Sequence, residues 1–474
     1  MAGRYEKLVG NTLIFAIGSF SSKLLVLLMM RYYTEILSPA QYSVADRITS
    51  TANLLMPFVM LSVNEAVIRF AMDKSQRKSA VFTTGLVTVF EGFAVFLLFT
   101  PLLARIEMLS GYVWLLAIYV LFGMLKSVTA QFVRAIGLVR LFVMDGFVAT
   151  ATTILFNILF LSAFGMGIDG YVLATVASNV LSVLGLFITA RLWRFVKIRQ
   201  RVPHLRRDML RYSIPLIPTT MFWWITNVSD RYVVTYFCGE AANGLYAVAS
   251  KLPNLLTIVS SIFYQAWQIS AISEKDDDDA VRFYSEVTEY YSVLLVLAGS
   301  GLLMLLRPIT SILYASSYAE SWRYAPFLIM SEVLSSLVTY FGTFYMVEKK
   351  NATVPLAIFT AAVTNLVLNI IFIPQYGPLA AAFTTFFSSL LAYIVRALDV
   401  RRVVALRIGA VRTSANLLLL MVQTFLMFHT ATSSFWVQAG MFVLILLFNL
   451  RPFLRLAFGI LSRFSHILKG KRGA

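Results

Sequence analysis

The chain has 474 residues, of which 59% are hydrophobic and only 13% are charged. Soluble globular proteins contain about 45–50% apolar residues, so this composition indicates a polytopic membrane protein. The net charge of +17 would suit a nucleic-acid-binding protein, but the Lys and Arg residues lie in short segments between apolar runs, where the positive-inside rule accounts for them. One cysteine, Cys238, and three scattered histidines exclude an intramolecular disulfide and form no metal-ligand spacing. We therefore predict no nucleic-acid partner, no metal and no cofactor.

Fourteen segments are apolar and long enough to cross about 30 Å of hydrocarbon as helices. They lie at roughly 9–30, 43–70, 80–104, 112–130, 144–164, 170–191, 212–237, 244–271, 284–306, 323–347, 352–373, 377–397, 413–430 and 434–450. The first apolar run is too long for the core of a signal peptide, so we interpret it as a retained helix. The predicted fold class is an all-α polytopic membrane protein with about 14 transmembrane helices.

The basic residues orient these helices. If the N-terminus is cytoplasmic, the segments on that side hold thirty Lys and Arg residues, and those on the other side hold only Arg31, Arg105, Arg307 and Arg323. The positive-inside rule then predicts a multi-pass protein of the bacterial cytoplasmic membrane with both termini in the cytoplasm. The C-terminal residues from about 454 onward alternate apolar and basic positions, which suits a helix lying on an anionic inner leaflet. Membrane lipids are therefore expected partners.

Two pairs of similar segments indicate an internal repeat. The first pair is Tyr42-Ser-Val-Ala-Asp-Arg47-Ile and Tyr246-Ala-Val-Ala-Ser-Lys251-Leu, and the second is Asn157-Ile-Leu-Phe-Leu-Ser-Ala-Phe-Gly165 and Asn369-Ile-Ile-Phe-Ile-Pro-Gln-Tyr-Gly377. Each copy holds six predicted helices, an even number, so the two copies enter the membrane in the same sense. We predict two pseudo-symmetric six-helix lobes.

The stretch from Arg191 to Arg211, with eight basic residues and one acid, separates the two copies. The predicted division of the chain is an N-terminal lobe at 1–195, a basic cytoplasmic linker at 196–211, a C-terminal lobe at 212–400, and two additional helices with a basic cytoplasmic tail at 401–474.

Several spaced motifs resemble those of one family of transporters. They are Arg211-Tyr-Ser-Ile-Pro-Leu-Ile-Pro218, Ser229-Asp-Arg231, Gly239-Glu-Ala-Ala-Asn-Gly-Leu-Tyr-Ala-Val-Ala-Ser-Lys-Leu-Pro253, Ala266-Trp267 and Ser270-Ala-Ile-Ser-Glu274. Over essentially its whole length the chain resembles the polysaccharide transporter (oligosaccharide flippase) branch of the multidrug/oligosaccharidyl-lipid/polysaccharide exporter superfamily. The resemblance implies two lobes around a central cavity, alternating access, and movement of lipid-linked oligosaccharide to the outer leaflet. It also implies glycosyltransferases and a polysaccharide polymerase as partners.

Charged side chains inside membrane spans are costly, and each one is a candidate functional residue. Five cations lie in the duplicated helices: Lys23, Arg31, Arg47, Arg231 and Lys251. A polyprenyl pyrophosphate carrying a sugar needs charged donors in a cavity of low dielectric constant, so these five are the candidate substrate-binding residues. The alternative is that Arg31 and Arg231 extend to lipid headgroups while Arg47 and Lys251 pair with Asp46 or other acids.

Three further residues are candidates for coupling or gating. Glu65 and Arg69 are four residues apart, a spacing that places them on one helical face as an ion pair. Asp230 could bind a proton or a sodium ion and couple transport to an ion gradient. Proline residues at 57, 215, 218 and 253 interrupt the second, seventh and eighth predicted helices, which are therefore the expected bending elements of the transport cycle.

Two other functions are alternatives to the flippase. The sequence contains no evident nucleophile, metal cluster or phosphate-binding glycine loop, so we predict no catalytic residues and no enzyme. A proton- or sodium-coupled multidrug exporter of the same superfamily would favour acids in the first lobe, whereas the first helix here contains Lys23 and no acid. A non-transporting membrane scaffold for synthesis enzymes would not require charges and kinks within the spans.

Overall fold

The computed structural model describes residues 25, 27–73, 75–197, 203–273, 279–348, 354–406, 409–429 and 435–454. Within these ranges the regular elements are helices and no strand occurs. Nine of the described helices are long and apolar enough to cross a membrane, or ten when one bent pair is counted as a single span. The predicted all-α membrane fold class is confirmed.

The helices of the first half are α1 (27–36, its described part), α2 (Pro39–Val59), α3 (Val63–Ala71), α4 (Lys78–Leu103), α5 (Val113–Ala135), α6 (Val139–Asn157), α7 (Gly167–Thr189) and α8 (Pro203–Ser213). Those of the second half are α9 (Ile217–Cys238), α10 (Glu240–Ala249), α11 (Asn254–Ser273), α12 (Ala280–Met304), α13 (Leu306–Leu313), α14 (Ala325–Val347), α15 (Val354–Tyr376), α16 (Pro378–Val403), α17 (Ala410–Phe428) and α18 (Phe435–Phe448). Every predicted span from the second onward overlaps at least one of these helices. The first predicted span, 9–30, and the tail beyond 454 lie mostly or wholly outside the described residues.

Two predicted spans, at 43–70 and 244–271, are each split into two helices. The span at 43–70 becomes α2 and α3, which are bent by 57° relative to one another. Pro57 lies in the last turn of α2, and Leu61 and Ser62 just beyond it have positive φ angles of 52° and 50°. Left-handed backbone ends a helix and redirects the chain. The predicted interruption near Pro57 is confirmed, and Pro253 likewise lies in the turn between α10 and α11.

Each of the second pair of repeated segments ends in a glycine with a positive φ angle. Gly165 follows a π-helical extension of α6, and Gly377 follows α15. Their φ angles are +62° and +66°, a conformation that glycine adopts without the steric cost of a Cβ atom. The two copies thus share this backbone feature, and the duplication stays a prediction.

The chain divides into two compact units. The first comprises Met1–Ala247 and Leu313–Tyr318. Within it α5 packs against α2, α3, α4 and α7, and the core includes Phe82 stacked on Phe132 with 4.3 Å between ring centroids. The predicted basic linker contains α8, whose Leu205 and Met209 are four residues apart and buried in this core. The first unit thus continues past the linker to include α9, whereas the repeat assigns α9 to the second lobe; the lobe boundaries stay a prediction.

The second unit comprises Val248–Ile312 and Ala319–Ala474. In it α14 packs against α11, α12 and α16, and α12 packs against α17 and α18. An aromatic core surrounds Tyr340, whose ring lies 5.1 Å from Trp267 and 4.9 Å from Tyr291. Trp267 is 3% exposed, so its ring serves the packing of this unit.

Candidate functional site

The candidate site begins at the first turns of α2. Ser38 caps this helix through a capping box with Gln41, and Pro39 occupies the first turn. A proline costs little there because the first N–H groups of a helix have no intrahelical partner. The well-defined start fixes the polar face of the helix, on which Ser43, Asp46, Arg47 and Ser50 are buried. Ser43 and Ser50 are each three or four residues from both Asp46 and Arg47, which keeps the four side chains on one side of the helix.

Two glycines bring α10 against the start of α2. Gly239, with a φ of +85°, ends α9 and turns the chain into α10. Gly244 lies so close to α2 that a Cβ atom placed there would be 1.9 Å from the carbonyl oxygen of Pro39. This close approach places the polar side chains of α10 within hydrogen-bonding distance of those on α2.

Arg47 is held by an acid from α10. Its Nη1 atom donates to Glu240 Oε1 at 2.5 Å, and Ser43 Oγ donates to Glu240 Oε2 at 2.6 Å. Asn243 Nδ2 in turn donates to Ser43 Oγ at 2.8 Å. The Arg47 side chain is 4% exposed and that of Glu240 is 33% exposed, so this ion pair is buried on the α2 side and accessible on the α10 side.

Arg231 on α9 is held by an acid from α2. Its Nη1 atom donates to Asp46 Oδ2 at 2.6 Å, and the side chains of Arg231 and Asp46 are 13% and 3% exposed. Adjacent residues on a helix point about 100° apart, so Asp46 and its neighbour Arg47 face different partners. The predicted local pairing of Arg47 with Asp46 is therefore replaced by two ion pairs that join α2 to α9 and to α10.

Asp230 is a second buried acid on α9. Its Oδ2 atom accepts a hydrogen bond from the Tyr246 hydroxyl, and its Oδ1 atom accepts one from the backbone N–H of Arg231 at 2.9 Å. One helical turn after Arg47 on α2, the hydroxyl groups of Thr51 and Tyr232 are 2.6 Å apart. Hydrogen bonds of this kind satisfy polar groups that would otherwise be costly inside a bundle.

The five ionisable residues Asp46, Arg47, Asp230, Arg231 and Glu240 form what we call the charge cluster. Three carboxylates face two guanidinium groups, so the fully ionised cluster carries one net negative charge. Arg47 Nε and Asn243 Oδ1 are buried without a hydrogen-bond partner among the described residues. The cluster thus has hydrogen-bonding capacity left for an anion at Arg47. Among the described residues no group of three or more His, Cys, Asp and Glu side chains could hold a metal ion.

Of the other three predicted substrate-binding cations, the structure describes Arg31 and Lys251. Arg31 is near the end of α1, where its Nε atom donates to Glu35 at 2.6 Å and its Nη1 atom donates to the carbonyl oxygen of Tyr314 at 2.8 Å. Lys251 is partly buried in the turn that follows α10. Lys23 lies outside the described residues. The structure therefore places Arg47 and Arg231 in one cluster, and Arg31 in a separate and half-exposed position.

The gating candidates Glu65 and Arg69 are both exposed on α3. The Glu65 carboxylate accepts a hydrogen bond from Asn64 Nδ2 at 2.9 Å, and the described part of the chain contains no ion pair between Glu65 and Arg69. An exposed pair with this spacing stabilises a helix by only about 0.3–0.5 kcal/mol, which is too little to fix its geometry. Their gating role stays a prediction.

Glu240 is the functional candidate that sequence reasoning did not select. It lies within the motif that begins at Gly239 but outside the predicted apolar span at 244–271. A charged residue outside a span appears solvated, and only the fold of α10 onto α2 brings it to Arg47. The available signal was the motif that begins at Gly239, which carries the family resemblance and contains Glu240.

Comparison with known proteins shows the family and the fold of the chain. Residues 34–323, more than half of the chain, match the family described as Polysaccharide biosynthesis protein. No curated protein sequence matches the chain. Among solved structures, lipid II flippase MurJ in an inward closed conformation is similar with a TM-score of 0.71 and 16% identity, covering 94% of this chain and 100% of that one.

Two further solved structures have the same fold. An inward-facing multidrug resistance MATE family transporter of the MOP superfamily is similar with a TM-score of 0.67 and 15% identity over 85% of this chain and 98% of that one. A MOP superfamily transporter from Pyrococcus furiosus has a TM-score of 0.60 and 16% identity over 86% of this chain and 95% of that one. Similarity at this level of identity shows the fold, which is that of transporters rather than enzymes. With the fold of the MOP superfamily transporters and the family match together, the chain belongs to the Polysaccharide biosynthesis protein family.

Proposed function

We propose that the protein is a flippase that moves polyprenyl-pyrophosphate-linked oligosaccharide from the inner to the outer leaflet by alternating access, for assembly of a surface polysaccharide. The observation that supports this most directly is the pair of buried arginines, Arg47 and Arg231, on two membrane helices of one unit. Ionisable groups within membrane spans are rare and mark functional sites by default, and the planar N–H groups of a guanidinium match the oxygens of a pyrophosphate.

The ion pairs suggest how the substrate would bind. Glu240 is one third exposed, so a pyrophosphate arriving from its side could replace its carboxylate on Arg47. The exchange conserves the ion pair and its charge-assisted hydrogen bonds, which keeps its free-energy cost low. The unpartnered Nε of Arg47 would add a second N–H group for a bidentate contact with the pyrophosphate. The role of Lys251 as a cation of the second repeat stays part of this proposal.

Asp230 is the proposed coupling residue. Its side chain is 3% exposed on a helix of the predicted membrane span at 212–237, and a buried carboxylate of this kind is a candidate site for a proton or a sodium ion. When the pyrophosphate displaces Glu240, the local negative charge rises further and the affinity for that cation increases. Such reciprocal coupling is the thermodynamic requirement for transport driven by an ion gradient.

The proposed setting is the bacterial cytoplasmic membrane with both termini in the cytoplasm. The thirty basic residues on the predicted inner side support this orientation. Enzymes that build the saccharide on the inner side and polymerise it on the outer side, namely glycosyltransferases and a polymerase, are the proposed partners.

A gene deletion tests the function. We expect loss of a surface polysaccharide, accumulation of lipid-linked repeat units on the cytoplasmic side, and little change in sensitivity to drugs. Complementation with the parent gene should restore the polysaccharide, and so should a gene encoding Arg401→Ala, a variant at an exposed residue near the end of α16. Intact surface glycans together with increased sensitivity to cationic dyes would contradict the flippase proposal and favour a multidrug exporter.

A further inference from the structure

The second unit contains a pocket that the charge cluster does not involve. Its volume is about 490 Å³, and its walls include Arg307, Trp322, Arg323, Tyr324, Tyr376 and Phe428. We call it the α13–α17 pocket, because the lining residues lie at the start of α13, in the 3-10 segment Ser316–Arg323 and at the ends of α15 and α17. The volume falls within the range of roughly 300–1,000 Å³ that small-molecule sites occupy.

The charge of this pocket is unusual for its predicted side of the membrane. The positive-inside rule depletes Lys and Arg from outer segments, and only four of these residues are predicted on the outer side of this chain. Two of the four, Arg307 and Arg323, line this one pocket. Half of the cations predicted on the outer side therefore line one pocket.

Arg307 is positioned as an anion-binding group. Its guanidinium carbon lies 4.2 Å from the centroid of the Trp322 ring, a cation–π contact that fixes the plane of the guanidinium. The described residues provide no acid in an ion pair with Arg307. A guanidinium stacked in this way presents its N–H groups in its own plane, where they can bind two phosphate oxygens.

Arg323 could contribute a second contact to an anion. It pairs with Glu320 at 2.9 Å, but both side chains are more than half exposed, so the pair is weak and exchangeable. The aromatic residues complete the pocket with apolar faces and hydroxyl groups. Tyr376 is 67% exposed, which leaves its ring accessible to a ligand. Aromatic rings with polar edges suit the mixed apolar and hydroxyl surfaces of a sugar.

From this arrangement we propose that the α13–α17 pocket binds a sugar phosphate, with the phosphate held by Arg307 and Arg323 and the sugar ring placed against Trp322 and Tyr376. The source of the ligand rests on the proposed function: a saccharide phosphate on the outer side is the headgroup of the transported lipid. The pocket would then hold this headgroup at the outer surface after transport.

The test is a titration of the purified full-length protein with α-D-glucose 1-phosphate, followed by tryptophan fluorescence and by calorimetry. We expect binding at least tenfold tighter than that of inorganic phosphate or of glucose, since the pocket contacts both parts of the ligand. Arg307→Gln should weaken binding at least tenfold, and Trp322→Phe should remove the fluorescence change while calorimetry still detects binding. The matched control is Arg105→Gln, which alters another predicted outer cation that is exposed in the segment after α4 and should leave binding unchanged.

Three results would overturn the proposal. Equal affinity for inorganic phosphate and for glucose 1-phosphate would show that the sugar contributes nothing to binding. Loss of glucose 1-phosphate binding in nanodiscs of phosphatidylglycerol, with retention in phosphatidylcholine, would assign the pocket to a lipid headgroup. Unchanged binding in folded Arg307→Gln and Arg323→Gln variants would exclude the two arginines. Because the titration involves no transport, its failure and a failure of the flippase proposal are separate outcomes.

Discussion

Arg231 and Asp46 lie 185 residues apart in the chain and form an ion pair of 2.6 Å between α9 and α2. The Asp46 side chain is almost fully buried, and this ion pair joins two different helices. It ties the beginning of the second sequence repeat to the first. Other ion pairs of the protein, such as that of Glu91 with Arg206, are exposed. A buried and an exposed pair should differ in their contribution to stability, and this difference can be measured.

Removing one partner of this buried pair should destabilise the protein strongly. Asp46→Ala leaves the Arg231 guanidinium without its carboxylate partner from α2, and a change of this kind costs about 3–5 kcal/mol. We expect a clearly lower thermal unfolding temperature in detergent. The control is Glu91→Ala, which breaks the exposed pair of Glu91 with Arg206 and should cost at most about 1 kcal/mol. Equal shifts for both variants would contradict the importance of the buried pair.

The transport role of the repeat-related cations can be tested by substitution. Arg47→Ala and Lys251→Ala should each reduce transport of a lipid-linked saccharide in proteoliposomes at a normal protein level. Loss of a charged hydrogen bond to the substrate costs about 1.5–3 kcal/mol, or roughly ten- to a hundredfold in binding. Arg47→Lys and Lys251→Arg should retain much of the activity because a cation is kept. Arg401→Ala is the control and should transport nearly as well as the parent. Parental transport in both Arg47→Ala and Lys251→Ala would show that these cations do not bind the substrate.

A substitution at Glu240 separates substrate exchange from a purely structural ion pair. In Glu240→Gln the neutral amide competes less well for Arg47, so a pyrophosphate should bind more tightly than in the parent, by roughly tenfold if one charged contact is released. Arg47→Ala should weaken the same binding. The measurement is the dissociation constant of a fluorescent short-chain lipid-linked saccharide. If the two variants weakened binding alike, Glu240 and Arg47 would serve only to hold α10 on α2.

Gly244→Ala tests the contact that assembles the charge cluster. The added Cβ atom would overlap the Pro39 carbonyl oxygen, which is backbone and cannot rotate away. We expect α10 to move from α2, with a loss of about 1–3 kcal/mol of stability and reduced transport. Gly146→Ala in α6 is the matched control because nothing lies within 4 Å of its Cβ position. Alanine is the better helix former by about 1 kcal/mol, so the control should be at least as stable as the parent.

The orientation of the chain can be measured by cysteine labelling. A cysteine replacing Gln200, in a background without Cys238, should react with an impermeant thiol reagent only after the cells are opened, since the basic linker is predicted to be cytoplasmic. A cysteine replacing Ser110, in the predicted outer segment after α4, should react in intact cells. Labelling of position 200 in intact cells would reverse the topology.

The sequence by itself determined the membrane class, the helical fold and most of the spans. Long apolar runs leave the backbone no option in lipid other than internally bonded helices, so composition and run length are sufficient there. The positive φ angles at Gly165 and Gly377 were also determined locally, because glycine adopts them without the steric cost of a Cβ atom. Even the break near Pro57 was visible, because proline acts on the hydrogen bonds of its own helix.

Only the tertiary structure decided which charges meet. From the sequence, Arg47 has Asp46 beside it, but helical geometry turns the two side chains apart and the fold supplies Glu240 to Arg47 and Arg231 to Asp46. The α13–α17 pocket is of the same kind, since it brings together residues between positions 307 and 428. Ion pairs and pockets of this kind depend on how helices pack, and packing is set by contacts such as that of Gly244 with Pro39, whose partners are distant in the chain.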